Sequence, residues 1–482
     1  MTGAVLRFIR KAQYSPVFFY QRIQYTCKQK NQKVLINSDS FPYNERECEG
    51  AIDMSHLKTL STEELKQQHA ALAGSYEAVQ AQKLKLDMSR GKPCSEQLDL
   101  SNDLFNCLSK TDYKTANGTD CRNYGGLDGI AEAKELFAWF LESKPQEIII
   151  GGSSSLTMMH DLLCRAMLHG LPESEAPWCK LPKVKFLCPS PGYDRHFAVT
   201  EHLGMELITI PYLHDGPDMD LVEKLVAADP AIKGIWCVPK YSNPTGITYS
   251  DSVVQRLAAM PTAAPDFRII WDNAYVVHHL TDTPDQLLDI RKACAAAGHA
   301  DRVFIFASTS KINFPSAGIA MVAASENNVN WLKKHLTIQT IGPDKINQLR
   351  HVRFLQNQAG IEEHMRKHAA VIKPKFELVL SILERELGGL DIASWSKPQG
   401  GYFISLDTLP GCASKVVEKA AAAGVLLTPA GATFPYGKDP EDKNIRLSPT
   451  FPPLSELKQA MELVVLCVKL VSIEQELARR AA

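Results

Sequence analysis

No two of the 12 cysteines stand at C-x-x-C spacing; they scatter irregularly from Cys27 to Cys467. Structural zinc takes its ligands in close pairs, so a zinc cluster is excluded. A chain of 482 residues is also far longer than the small secreted scaffolds that disulfides staple. Free thiols in a reducing compartment, and no metal site, are the expectation. Excess charge is missing too. Lys+Arg number 53 and Asp+Glu 54, a net charge of -1. Such a chain has no general field to draw nucleic acid or an anionic membrane. No apolar run reaches the ~20 residues that span a bilayer. There is no internal repeat, no low-complexity tract and no helix-turn-helix pattern. Acidic residues are absent from the first 38 positions, where Arg7, Arg10, Lys11, Arg22, Lys28, Lys30 and Lys33 interleave with Phe8, Ile9, Val17, Phe18 and Phe19. That composition suits a mitochondrial transit peptide, or equally a leader without function ahead of a start at Met54.

What is present is alternation. Between about 130 and 321, helical patterns (Ala131 to Leu141, Ser155 to His169, Asp194 to Leu203, Leu221 to Ala228) separate short apolar runs. Those runs are Glu147 to Ile150, Val184 to Cys188, Glu206 to Ile210, Lys233 to Val238, Phe267 to Trp271, Val303 to Phe306 and Ile319 to Ala323. Strands joined through helices imply a largely parallel, doubly covered α/β sheet. Such sheets bind ligands beyond the carboxyl ends of their strands. From 328 onward the pattern changes: helices over 330–340, 345–365 and 370–387, strands at Gly401 to Leu406 and Asn444 to Leu447, then a helix from Leu454 to Leu477. This reads as a second, α+β unit. The expected division is an extension over 1–53, small-domain segments at 54–105 and 346–482, and a large domain over 106–345.

Polar residues follow several of the strands. Gly151-Gly152-Ser153-Ser154-Ser155 opens a helix, where backbone N–H groups suit a phosphate, or where a serine merely caps the helix. Asn243-Pro244-Thr245-Gly246 alone is a turn. Asp272, at the end of a buried strand, needs a cationic or donor partner. Ser308-Thr309-Ser310-Lys311 places a lysine beyond a buried strand, where desolvation turns an ammonium into a nucleophile. Ser-x-x-Lys also occurs in serine acylases, but their Ser-Asp-Asn and Lys-Thr-Gly companions are absent.

Order along the chain says more than any one motif: the glycine-serine turn, Tyr193, Asn243, Asp272, Tyr275, Ser308, Lys311, then Arg446. In that order the sequence, from about 84 to 477, resembles the fold-type I pyridoxal-phosphate aminotransferases of the class I/II superfamily. Segments 122–129 and 341–350 resemble a bacterial-type aspartate aminotransferase subgroup. The resemblance implies a mostly parallel seven-stranded sheet flanked by helices, plus a smaller α+β domain, with pyridoxal 5'-phosphate as cofactor. It implies that Lys311 bonds the cofactor aldehyde and shuttles the substrate α-proton, and that Asp272 pairs with the protonated pyridine nitrogen. Asn243 and Tyr275 would hold the ring hydroxyl oxygen, and Tyr193 would stack on the ring. Gly152, Ser153, Ser154 and Ser308 would hold the phosphate, with Tyr124 reaching it from the partner in a homodimer. Arg446 would fork onto the substrate α-carboxylate beside Asn243, and Gly91 would sit at the substrate mouth. His196 either supports Asp272 or is a satisfied structural histidine.

Transamination between an L-amino acid and a 2-oxo acid is the implied activity, with aspartate and 2-oxoglutarate the implied pair. Alanine, aromatic or multi-substrate transamination is the alternative. A non-catalytic ligand-sensing regulator domain is a remote one, since the segment before Met54 is too short for a DNA-binding unit. One departure stands out. The superfamily's phosphate-binding arginine, several residues after the lysine, is absent from Ile312-Asn313-Phe314-Pro315-Ser316-Ala317-Gly318. Lys345 is the candidate replacement, for the phosphate or for a distal substrate carboxylate; a helix-start lysine facing water is the plain alternative.

Overall fold

The computed structural model describes Leu57 and residues 59–482. The basic extension over 1–53 and the start at Met54 lie outside the described residues. Strands form at Ile148–Ile150 (β1), Lys185–Ser190 (β2), Glu206–Leu213 (β3), Gly216–Pro217 (β4), Ile232–Cys237 (β5), Arg268–Asp272 (β6), Val303–Ser308 (β7) and Ala320–Ala323 (β8). They make one sheet in the spatial order β1-β8-β7-β6-β5-β2-β3-β4. The strands β3, β2, β5, β6 and β7 run parallel to one another. β8 is antiparallel to both β1 and β7. All seven expected strands are there; β4 is an eighth, formed where the chain folds back on Tyr212 and Leu213 at one edge.

Successive residues of β5 and β6 bury on opposite faces. Ile235 and Trp271 join one apolar core, with Phe137 and Leu257. Trp236 and Ile270 join the other, with Phe186 and Phe304. Both faces are therefore covered, which is why these strands read as unbroken apolar runs. Crossover helices Asp251–Ala259 and Ile290–Ala296, unassigned from sequence, complete the layers.

A second, three-stranded antiparallel sheet joins Ala393–Trp395, Ile404–Thr408 and Asn444–Leu447. Its central strand starts later than the sequence suggests. Gly401 takes φ +83°, and a Cβ on Gly400 would lie 2.4 Å from Tyr241 Cε2, so this glycine pair serves a close backbone approach rather than a ladder. Long helices Gln358–Leu387 and Leu454–Ala481 lie in the same part of the chain. The break expected near 365–370 falls instead at Gln356–Asn357. Gln356 adopts φ 62°, and Asn357 caps the next helix by accepting from Gly360 N at 3.0 Å. Among the described residues every cysteine is a free thiol, no three metal-type side chains converge, and no helix is long and apolar enough to cross a membrane.

Candidate active site

Parallel strands deliver their following loops to one edge of the sheet. Asp272 is the last residue of β6, and Ser308 the last of β7 with Lys311 just beyond. Asn243 follows β5, Tyr193 follows β2, and Gly152 to Ser154 follow β1. A cavity of about 150 Å³ gathers Ser154, Tyr193, Asn243, Asp272, Tyr275, Ser308 and Lys311 in its lining. Seven of the residues singled out for the cofactor thus meet in space, although they come from separate crossovers; Gly152, Ser153 and Tyr124 are not in this lining.

Lys311 Nζ lies 5.0 Å from the Tyr275 ring centroid. Burial pulls its pKa below the usual lysine value, and the Asp272 charge opposes that pull. The outcome is an amine that loses its proton more readily than a surface lysine. Burial likewise raises the Tyr275 phenol well above its ordinary range, and raises Tyr193 to about 12, so both hydroxyls stay protonated and can donate. Asp272 Oδ2 accepts from His196 Nε2 at 3.0 Å. The His196 ring is itself wedged, stacked on Trp236 at 4.3 Å and 7° and edge-on to Tyr193 at 4.9 Å. His196 therefore fixes the carboxylate, one of the two readings open from sequence. Asp272 Oδ1 is buried without any protein donor.

At the other end, Ser154 caps the helix Ser155–His169 by accepting from Thr157 N, and that helix has no acidic residue in its first turn. Ser308 Oγ donates to Ser310 Oγ at 3.1 Å, and Ser310 Oγ to the Ser153 carbonyl at 3.3 Å. Ser310 also lines the cavity. Sequence reading passed over it, though the Ser-Thr-Ser-Lys run held the signal. Hydroxyls and the N-terminus of a helix without first-turn acid make this end fit for an anion.

Arg446 sits on the strand Asn444–Leu447, buried. Its Nη1 donates to Asp194 Oδ1 at 2.9 Å and Asn243 Oδ1 at 3.3 Å, and its Nε to Thr428 Oγ1 at 3.4 Å. The guanidinium lies 5.0 Å from the Phe403 ring centroid. Gly91 packs under that ring: a Cβ there would stand 2.3 Å from Phe403 Cζ. Two expected residues lie elsewhere. Tyr124 is 82 % exposed and lines a separate cavity of about 460 Å³ with Arg122, Pro343 and Lys345. Lys345 is buried, and its Nζ donates to the carbonyls of Asn123 at 2.7 Å and Gly125 at 2.5 Å. Its ammonium holds the Tyr124 loop. It neither faces water nor lines the lysine's cavity.

Sequence reading also missed what holds the lysine's main chain. The Lys311 carbonyl accepts from His278 Nε2 at 3.2 Å and Tyr402 Oη at 3.4 Å. The Ile312 carbonyl accepts from His364 Nε2 at 2.8 Å. Behind them His368 lies 3.1 Å from both His364 Nε2 and Gln97 Nε2, and Gln97 reaches Tyr402 Oη at 2.9 Å. Burial drives His278 and His368 down to about 3, so these rings are neutral.

The unmet Asp272 oxygen, the buried amine and the hydroxyl-lined anion end together match a cationic ring nitrogen, an aldehyde and a phosphate, the three handles of pyridoxal phosphate. Comparison with known proteins points the same way. The family described as "Aspartate amino-transferase" matches residues 60–480. The aspartate aminotransferase of Corynebacterium glutamicum is 47% identical over 84% of this chain and 94% of its own. A crystal structure of an aspartate transaminase from Corynebacterium glutamicum superposes with TM-score 0.85 at 45% identity, covering 88% of this chain and 100% of that one. At 20% identity and TM-score 0.65, the alpha-aminoadipate aminotransferase of Thermus thermophilus, solved with N-(5'-phosphopyridoxyl)-L-leucine, shares the fold over 84% of this chain and 98% of that one.

Proposed function

Since the chain belongs to the aspartate amino-transferase family, we propose that its cavity transfers the amino group of L-aspartate to 2-oxoglutarate. The protein is an aminotransferase that uses pyridoxal phosphate. Bound in this cavity, the cofactor would supply an electron-poor ring able to accept an electron pair from the substrate Cα. The chain's own residues do the rest. Arg446 grips the α-carboxylate beside Asn243 with its planar fork. Lys311 Nζ, partly relieved of its charge by burial, takes the proton from Cα. Asp272 Oδ1 would keep the ring nitrogen protonated; an ion pair at ~4 Å is worth up to ~4 kcal/mol at an effective dielectric of ~20. Tyr275 and Asn243 would hold the ring hydroxyl oxygen, and Tyr193 would cover the ring. Gly152, Ser153, Ser154, Ser308 and, in addition, Ser310 would hold the phosphate; with no arginine in 312–318, hydroxyls and helix N–H groups would carry that contact.

The observation that carries this reading is the buried, donorless Asp272 Oδ1 in the cavity of a desolvated lysine. Steady-state rates across an amino-acid panel test the substrate: aspartate should lead, and a panel led by alanine or an aromatic residue would move the assignment to that class.

The active molecule is a homodimer in which Tyr124 serves the partner's phosphate site. The large domain spans 106–345, and 54–105 joins 346–482 in the small one. The pairing of Leu86–Asp87 with Val425–Leu426 and the bond from Tyr76 Oη to the Lys419 carbonyl at 2.9 Å support that division. The bacterial relatives favour action in the cytoplasm over the mitochondrial site that the basic N-terminus suggests. Fractionation of the native protein decides between them.

A further inference from the structure

Arg446, the proposed grip for the substrate carboxylate, already holds a carboxylate of its own chain. A bidentate grip takes two adjacent guanidinium nitrogens. Nη1 is engaged by Asp194 Oδ1 at 2.9 Å and Asn243 Oδ1 at 3.3 Å, and Nε by Thr428 Oγ1 at 3.4 Å. The Nη1–Nη2 edge of the fork is therefore engaged while Asp194 stays. Asp194 can leave at small cost. It is partly exposed, its other oxygen lies 4.0 Å from Arg195 Nε, and it stands in the first turn of the helix Asp194–His202, where the helix dipole favours negative charge. Arg446 cannot leave in the same way. It is buried on a strand with the Phe403 ring at 5.0 Å.

The geometry points to Asp194 as an internal competitor for the substrate carboxylate: it pairs with Arg446 and turns toward Arg195 and its helix N-terminus when a carboxylate substrate arrives. This rests on Arg446 being the carboxylate anchor. Asp194 is a positioning and affinity-setting residue and takes no part in bond making. A carboxylate tethered in the same chain acts at high effective concentration, so it weakens every substrate that needs Arg446 and keeps stray small anions off the fork.

The test uses the cofactor-loaded protein and maleate, a dicarboxylate that cannot transaminate, measured by titration calorimetry. Asp194→Asn keeps the side-chain size and removes the charge. Its maleate Kd should fall about ten-fold, which is ~1.4 kcal/mol, and the KM of both substrates should fall with it. Structural damage cannot produce this, because damage weakens binding. Asp194→Ala should tighten maleate as well. Unchanged or weaker maleate binding in both variants overturns the inference. Arg446→Lys separates the two readings. If it weakens maleate strongly while the Asp194 variants do nothing, only the competitor role falls. If it leaves maleate untouched, the anchor falls and the competitor role with it.

Discussion

Lys311 has few ways to stay charged. Its surroundings are buried, and Asp272 is the counter-charge that offsets the burial. Replacing Lys311 by Ala should abolish both the imine absorbance of the bound cofactor and turnover; retained turnover would overturn its assignment. Asp272→Ala should leave cofactor partly bound and slow the reaction by more than ~100-fold, since the ring nitrogen loses its proton holder. Equal rates in a single-turnover measurement would mean that another group serves the nitrogen. Gly91 makes a subtler case. Only the missing Cβ lets the Phe403 ring lie where it does, with Cζ 2.3 Å from where that atom would be. Gly91→Ala must displace the ring, the neighbour of Arg446, whose guanidinium lies 5.0 Å from its centroid. The KM of both substrates should rise roughly ten-fold, ~1.4 kcal/mol, with cofactor affinity little altered. An unchanged KM would show that the ring moves away from the arginine instead.

At the scale of elements, the helix Gln358–Leu387 reaches the lysine's loop through His364 and, one turn on, His368. His368 is neutral in the folded protein down to about pH 3, because burial, and then the charge of His364, oppose its protonation. In the unfolded chain it takes a proton near pH 6.5. Between those values the unfolded state binds the extra proton, so stability is lost as pH falls through the window. The loss approaches ~1.4 kcal/mol per pH unit for one such group. His368→Gln cannot take that proton, and urea unfolding at pH 6.5 and pH 5 should show a smaller drop than in the parent. An equal drop would mean that His368 is charged in the fold.

The same helix shows why the sequence was legible in part. Strands such as Ile148–Ile150 read correctly because the doubly covered sheet leaves no polar face, and the helix Ser155–His169 because Ser154 marks its start. Lys311 and Asp272 were legible because one stands just beyond a strand and the other ends one. His368 was not, since its contact with Gln97 joins positions 271 apart, and nothing local in either segment announces the other. Asp194 was overlooked for a similar reason: its meaning depends on Arg446, 252 positions away.

For the whole molecule the open question is which chain completes the phosphate site. Tyr124 is 82 % exposed and Ile341 64 %, on a surface where Gly342 packs against the Gly125 carbonyl and Lys345 ties down the Tyr124 loop. Lys345 thus spends a buried charge on holding an exposed tyrosine in place. That is a poor use of desolvation unless the tyrosine has work outside its own chain. Tyr124 is also not among the residues that line its own chain's lysine cavity. If it serves a second copy, one subunit's Lys311 works with the other subunit's Tyr124. A hybrid of a Lys311→Ala chain with a Tyr124→Ala chain then contains one site lacking both residues and one site lacking neither. The hybrid, isolated with two different affinity tags, should show about half the parent activity per dimer and the parent cofactor affinity at its one intact site. Tyr124 acting within its own chain predicts the opposite, because the only site with a lysine would then carry the Tyr124→Ala defect, and activity would stay at half the level of the Tyr124→Ala homodimer. A fully active monomer by light scattering would exclude the shared site altogether.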